Sequence, residues 1–450
     1  MTLFPRISII TASLISLSAC TSVGPDYNSL NATTPASYVE GGTISAGDVA
    51  LVKWWQGLGA PQLDALVERG LAQNLSIQTA IERVEEARAA LRSTGASALS
   101  GNLSGASIRS GGSASPTATT SSAVFNASLV LDLFGGQRRA VEQARAQAES
   151  ADYDIGTARL AFLASLTGAY VDARYFQETL ELTRQTIATR ERTFELVRAQ
   201  EDAGTATELD RVQARALLEE ARASLPDLES GFDSAVYAIA TLLAEPAAPL
   251  RASLQKGAAQ PRPKSGTAAG VPADLLRNRP DIRAAERDLA SAVAAIGVAE
   301  AQLYPSITLS GEITASSATN WSFGPTLVLP VLNQPKLRAD RDQAISRARQ
   351  AELSWRALIL SAVEETQSAQ GKVLRAQRAL GSLRAAADSY SRAVELSQLT
   401  YSGGTTTLLT LLDAERSRAS ARLSLAQAVQ ALANNWISLQ VATGRGWAPQ

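Results

Sequence analysis

Histidine is absent from this chain, cysteine and methionine occur once each, and aromatic residues make up only 5%. Without histidine the usual general base and the commonest transition-metal ligand are missing, and one cysteine supports neither an internal disulfide nor a thiolate metal site. There is no P-loop and no nucleophile elbow, so an enzyme anchored to the cell envelope is left almost without candidate groups. No cofactor is expected. An excess of one charge is lacking too: 42 Lys and Arg against 43 Asp and Glu leave a net charge of −1, which provides no electrostatic footprint for nucleic acid. Beyond the first twenty residues there is no apolar run of about 18, the length a membrane-spanning helix needs.

What is present begins with "MTLFPRISIITASLISLSAC", in which Arg6 precedes an apolar stretch from Ile7 to Leu17. That stretch is too short and too serine-rich to span a bilayer and suits an export signal. It ends on Leu17-Ser18-Ala19-Cys20, which resembles the bacterial lipobox, so Cys20 is the expected lipidation site and the first residue of the mature protein. Each acyl chain would contribute about 0.8 kcal/mol per buried methylene, enough for two or three together to hold a protein on a membrane. Thr21 rather than Asp follows, which in bacterial sorting resembles the outer-membrane pattern.

The mature chain is written twice. Aligned at an offset of 200, Gln177–Leu225 and Gln377–Leu425 share 15 identities in 49 positions, including Gly204/Gly404, Thr205/Thr405, Thr207/Thr407 and Leu209/Leu409. A repeat of that length replaces the two or three domains that length alone suggests with two copies of one unit. Each copy opens on a helix. Apolar residues at helical spacing predict one over Pro61 to about Ser93, and Pro280-Asp281 suits the start of its counterpart.

Each opening helix is followed by alternating segments. In "YPSITLSGEITAS", Ile307, Leu309 and Ile313 alternate with Ser306, Thr308, Ser310 and Glu312, and "WSFGPTLVLPVL" follows in the same style. In the first copy Phe125, Ala127, Leu129 and Leu131 alternate with Asn126 and Ser128, Leu99 to Arg109 supplies a weaker partner, and Gly111 to Ser122 reads as the loop between them. One hairpin per copy is expected. Then come two runs of helix formers without a proline, Gln137 to about Asp202 and Lys336 to about Ser402, each long enough for a rod of about 100 Å. Gly204 and Gly403-Gly404 end the rods, and helices return to about Leu243 and Val441. Along the rods Ala173, Leu180, Ile187 and Phe194, and again Val373, Leu380, Ala387 and Val394, fall seven apart, the spacing of helices packed in a wall.

A bilayer admits helices or closed barrels only, and four strands cannot close a barrel, the smallest having about eight. Several copies must pool their hairpins if the chain spans a membrane. Three would give twelve strands, with Trp321, Phe323, Phe125 and Tyr304 placed to anchor at the interfaces. The expected fold is therefore mainly α with a small β part: long antiparallel helical hairpins plus a four-strand share of a trimeric 12-stranded transmembrane β-barrel. The divisions are a signal peptide at 1–19, an extended lipid-anchored segment at 20–59, a first repeat at 60–243 (β-hairpin about 97–134, helical hairpin 137–243), a linker at 244–272, a second repeat at 273–443 (β-hairpin about 305–332, helical hairpin 336–443) and a tail at 444–450.

Four stretches carry a family resemblance: "WWQGLGAPQLDALVERGLAQN" (Trp54–Asn74), "LLRNRPDIRAAE" (Leu275–Glu286), "AQLYPSITLSG" (Ala301–Gly311) and the paired tips at Gly204 and Gly404. The chain resembles TolC-like outer membrane efflux proteins, of the NodT-type lipoprotein branch found in tripartite efflux systems, over essentially all its mature length. The resemblance implies a homotrimeric exit duct: a barrel in outer membrane lipid joined to a periplasmic helical tunnel, met at its tip by a periplasmic adaptor and fed by an inner-membrane pump of the RND type. It implies docking turns at Ala203-Gly204-Thr205 and Gly403-Gly404-Thr405, and a periplasmic gate carboxylate at Asp413. Thr410 stands where a second acidic ring occurs in the family and Thr406 where a basic latch residue does, so this gate is held by fewer charges. For Asp413 itself two readings stand, an axial charged ring or a pair with Arg416 at i,i+3. The rival for the whole chain is a lipid-anchored periplasmic adaptor or helical scaffold without a pore; the lipoyl-like and small β-barrel segments usual in adaptors are not found.

Overall fold

The computed structural model describes residues 22–29, 34–41, 44–264 and 268–448. After a 3-10 turn at Trp54–Leu58, the elements are α1 (Pro61–Gln73), α2 (Leu75–Ala96), β1 (Leu99–Gly112), β2 (Ser115–Leu131), α3 (Gly136–Asp202), α4 (Glu208–Ala223), α5 (Leu225–Leu243), α6 (Ala247–Leu254), α7 (Leu275–Asn278), α8 (Pro280–Ala301), β3 (Ser306–Ala315), β4 (Thr319–Val328), α9 (Gln334–Ser402) and α10 (Leu408–Ala442). The helices α3 and α9 have 67 and 69 residues. Among the described residues no helix is long and apolar enough to cross a membrane. The chain divides into two compact units.

The first unit comprises 22–29, Ile81–Asp154 and Asp281–Leu358. It holds one four-stranded antiparallel sheet in the order β1-β2-β3-β4, the two hairpins joined through β2 and β3. The register sorts the side chains by face. Leu129 pairs with Leu99 and Leu309, Phe125 with Leu103 and Ile313, and Ile313 with Trp321, so one face is apolar; the alternating rows, such as Asn126–Glu312–Ser322, are polar. Both faces are wet in the isolated chain, with Trp321 78%, Leu103 75% and Phe323 69% exposed.

Gly111 to Ser122, expected as a loop, is mostly strand: β1 and β2 pair as far as Gly112 and Ser115, with a register shift between Ser110 and Gly112. Small Ser, Thr, Gly and Ala side chains hide the alternation there, while backbone pairing and cross-strand bonds such as Ser107 Oγ to Ser121 Oγ at 3.1 Å support the ladder.

An extended segment is strapped to the base of this sheet. Arg139, 4% exposed, donates from Nε to the Val23 carbonyl (3.1 Å) and from Nη2 to the Gly24 carbonyl (3.1 Å) and Asp26 Oδ1 (2.7 Å), while Nη1 reaches Glu142 Oε2 at 2.8 Å. Gly297 makes room for it: a Cβ there would stand 2.7 Å from Arg139 Cγ. Beside the strap, Tyr304 stacks on Phe134 with centroids 4.7 Å apart.

The second unit comprises 34–41, 44–80, Ile155–Pro280 and Ile359–Gln450, apart from the undescribed residues within them. Its core joins α1 (Leu63, Leu66, Val67) to α5 (Val236, Ile239, Leu243), all nearly inaccessible. The single opening helix expected from Pro61 is two: Asn74 is extended, and its Oδ1 accepts from the Ser76 and Ile77 amides, capping α2. The first returning helix is likewise cut at Ser224, where Pro226 enters the first turn of α5, whereas α10 runs unbroken for 35 residues. Inside the expected linker lies a helix, α6, whose Leu250 and Leu254 are buried one turn apart.

The Leu275–Asn278 stretch and Arg279 act as a clamp. Asn278 Nδ2 donates to the Gly47 carbonyl (2.8 Å), buried Asp274 accepts from Ser45 Oγ (2.5 Å) and the Ala46 amide (2.8 Å), and Arg279 Nη1 reaches Glu365 Oε2 at 2.6 Å.

Candidate functional site: the paired hairpin tips

Both repeated turns lie in the second unit, and each uses glycine where the backbone turns left-handed. Gly204 has φ +76° and Gly404 φ +70°, which an L side chain rarely adopts. The Thr205 and Thr405 amides donate to the carbonyls of Gln200 (2.8 Å) and Thr400 (2.9 Å), closing α3 and α9. Thr205 Oγ1 and Thr405 Oγ1 donate to the same two carbonyls, each at 3.0 Å. Thr207 and Thr407 then cap the returning helices. In α4 the box is reciprocal, Thr207 Oγ1 accepting from the Asp210 amide at 3.2 Å while Asp210 Oδ2 accepts from the Thr207 amide at 2.9 Å. The Thr207 amide and hydroxyl, both donating to Asp210 Oδ2, hold that carboxyl below the usual carboxylate range. In α10 Thr410 replaces the acid, its amide 3.4 Å and its hydroxyl 3.1 Å from Thr407 Oγ1.

The docking candidates Ala203, Gly204, Thr205, Gly403, Gly404 and Thr405 are all exposed, and Thr406 is half-buried. Behind them the two tips share one apolar cluster of Val197, Ala214, Leu217, Leu408 and Leu412, with Phe194, Ala206 and Tyr401 at its margin. Tyr401 Oη donates to Gln200 Oε1 at 2.6 Å, tying the end of α9 to the end of α3. Asp413 lies on the exposed side of α10, and its Oδ1 is 3.3 Å from Arg416 Nη1, the i,i+3 contact of one of its two readings, which leaves the axial ring open.

Two residues farther along α10, Glu415 is 2% exposed and accepts from Thr193 Oγ1 at 2.9 Å. Burial pushes its carboxyl above the usual range, outweighing the opposing effects of Thr193, Arg418, Gln398 and Arg190. Arg190, also buried, donates to the Leu217 carbonyl. Sequence reasoning missed Tyr401, Gln200, Arg190 and Glu415. Only Glu415 carried a signal: it continues the apolar stripe of Leu408 and Leu412 and is a charge where that stripe calls for an apolar residue. Cys20, the expected lipidation site, lies outside the described residues.

A family model described as outer membrane efflux protein matches residues 66–245 and 271–445, two segments that each contain one of these tips. The chain belongs to the outer membrane efflux protein family. Among its relatives, Nodulation protein T of Rhizobium leguminosarum bv. trifolii is 40% identical over 96% of both chains, and the pyoverdine export outer membrane protein OpmQ of Pseudomonas aeruginosa is 31% identical over 98% of this chain and 97% of its own. The solved outer-membrane channel OprN superposes with a TM-score of 0.85 at 30% identity, covering 95% of this chain and all of that one. This efflux protein is thus an outer membrane channel component of tripartite efflux systems and not an enzyme, with the helical hairpins and four-stranded sheet of its family.

Proposed function

We propose that three copies of this efflux protein close a 12-stranded barrel and a helical tunnel, through which small molecules delivered by an inner-membrane pump of the RND type leave the cell passively. One observation carries the reading: β1 and β4 are open edges of a sheet with one apolar and one polar face. Open edges are barred from hydrocarbon, because unpaired backbone groups there cost several kcal/mol each, so the edges must pair with those of other subunits. The periplasmic adaptor meets the exposed turns Ala203-Gly204-Thr205 and Gly403-Gly404-Thr405, and Asp413, with Thr410 and Thr406 beside it, lines the gate. The two matched segments support the division into repeats at 60–243 and 273–443 around the linker 244–272.

Cys20 carries the acyl chains. The strap supports this reading: Val23, Gly24 and Asp26, soon after Cys20 in sequence, are pinned by Arg139 at the base of the sheet. The test is migration of the purified protein in detergent with and without heating, followed by planar-bilayer recording. A heat-sensitive trimer that conducts is expected; a water-soluble single subunit after removal of the acyl chains would overturn the reading.

A further inference from the structure

The polar face of the sheet carries one charge. Among the 51 residues of β1 to β4 the only charged side chains are Arg109 and Glu312. The register puts them on opposite faces: Arg109, six residues on from Leu103, shares the apolar side, whereas Glu312 lies in the row Asn126–Glu312–Ser322. Its neighbours on that face are uncharged, among them Ser310, Thr314 and Asn320. The carboxylate is exposed, it accepts a hydrogen bond from Thr314 Oγ1 at 3.1 Å, and no basic side chain among the described residues pairs with it. Glu312 is six residues beyond Ser306 and three short of Ala315, the last residue of β3. At the rise of a strand that places it about 20 Å along the sheet from the helix-proximal end, toward the outer turn.

We propose that Glu312 is a charge-selectivity residue of the exit: one copy per subunit forms an anionic collar inside the barrel near its outer mouth, which favours cations and cationic solutes and retards anions. The collar rests on the trimeric barrel proposed above. On a face of hydroxyls and amides, three unpaired carboxylates dominate the local potential, and low-dielectric walls focus that field across the lumen. The collar is remote in sequence from Asp413, so the two carboxylates can be varied separately. Its influence falls with salt, since the Debye length shrinks from about 10 Å at 0.1 M to about 3 Å at 1 M.

The experiment is the reversal potential of the full lipidated channel in planar bilayers under a KCl gradient at low ionic strength. Glu312→Gln should lower the ratio of potassium to chloride permeability by about two-fold or more, and the difference should shrink at about 1 M salt. Glu312→Cys places a thiol on the same face; a sulfonate-bearing thiosulfonate reagent added to the assembled channel should restore the parent ratio, and a trimethylammonium-bearing one should lower it further. Ile313→Cys, on the lipid face, should respond to neither. If a Glu312 variant fails to assemble, Asn126→Lys sets an ammonium beside the intact carboxylate and should lower the ratio likewise. Conducting channels whose ratio ignores these charges would overturn the collar and leave the barrel standing, whereas a parent protein that forms neither trimers nor pores would overturn the barrel and the collar with it.

Discussion

The phenol of Tyr401 donates a 2.6 Å hydrogen bond to Gln200 Oε1 and so joins the ends of the two longest helices just above their shared apolar cluster. The bond is partly buried, and losing it leaves the Gln200 acceptor short of a partner at a cost of about 1 kcal/mol. Tyr401→Phe keeps the ring in the cluster and removes only this tie. The tips should part more readily, seen as larger or more frequent openings in planar bilayers with unchanged trimer yield; identical openings would remove Tyr401 from any latch.

Asp413 makes a sharper test of the gate, because among the described residues its one ion pair is with exposed Arg416 on its own helix. Such surface pairs contribute about 0.3–0.5 kcal/mol, so Asp413→Asn should change stability little. Conductance or cation preference should nevertheless shift if three copies face the tunnel axis. Recordings that match the parent would confine Asp413 to its pair with Arg416.

Glu415 predicts a pH dependence. Its carboxyl is raised in the folded protein by burial, so folding favours the protonated form: the stabilisation is fully present below the ordinary Glu range and is lost as pH rises through the raised value. Glu415→Gln can still accept from Thr193 and carries no charge to bury. It should raise the melting temperature at pH 7 by about 1–2 °C and flatten the pH dependence on the acidic side. A fall at pH 7 would mean that attraction to Arg190 and Arg418 outweighs burial.

Glycine at the two tips is required by backbone angle alone. A Cβ at Gly204 or Gly404 would touch nothing within 4 Å, so substitution is opposed only by the left-handed conformation. Gly404→Ala should cost about 1 kcal/mol, and Gly404→Asn less. If the proposed adaptor docks there, a valine at either position should disturb its crosslinking more than asparagine does.

Removal of the strap's arginine should be felt at the amino terminus first. Arg139→Ala deletes bonds to Val23, Gly24 and Asp26 together, and new protease cleavage among residues 22–29 is expected ahead of any change in the helices. Cleavage at the parent rate would show that the segment is held by other contacts.

Much of this fold was legible because it depends on long-range patterning: the offset of 200, proline-free runs and alternation around Ile307 and Phe125 all survive as helices and strands. The features that were hidden are local. Asn74 and Ser224 interrupt helices through one cap and one proline, and α6 is only eight residues long. At Gly111 to Ser122 small side chains blur the two faces, so composition reads as loop where pairing makes strand. The tips themselves were found by repetition, but Tyr401 and Gln200 were not, because the sequence cannot tell which long side chains from separate helices meet.

The break at Ser224 makes the two repeats unequal as levers. One returning arm is a single 35-residue rod and the other is jointed beside Pro226, so a pull at the tips is passed on stiffly through the second repeat and partly absorbed by bending in the first. A sequence that began as two equal copies has thereby acquired a preferred side on which to yield.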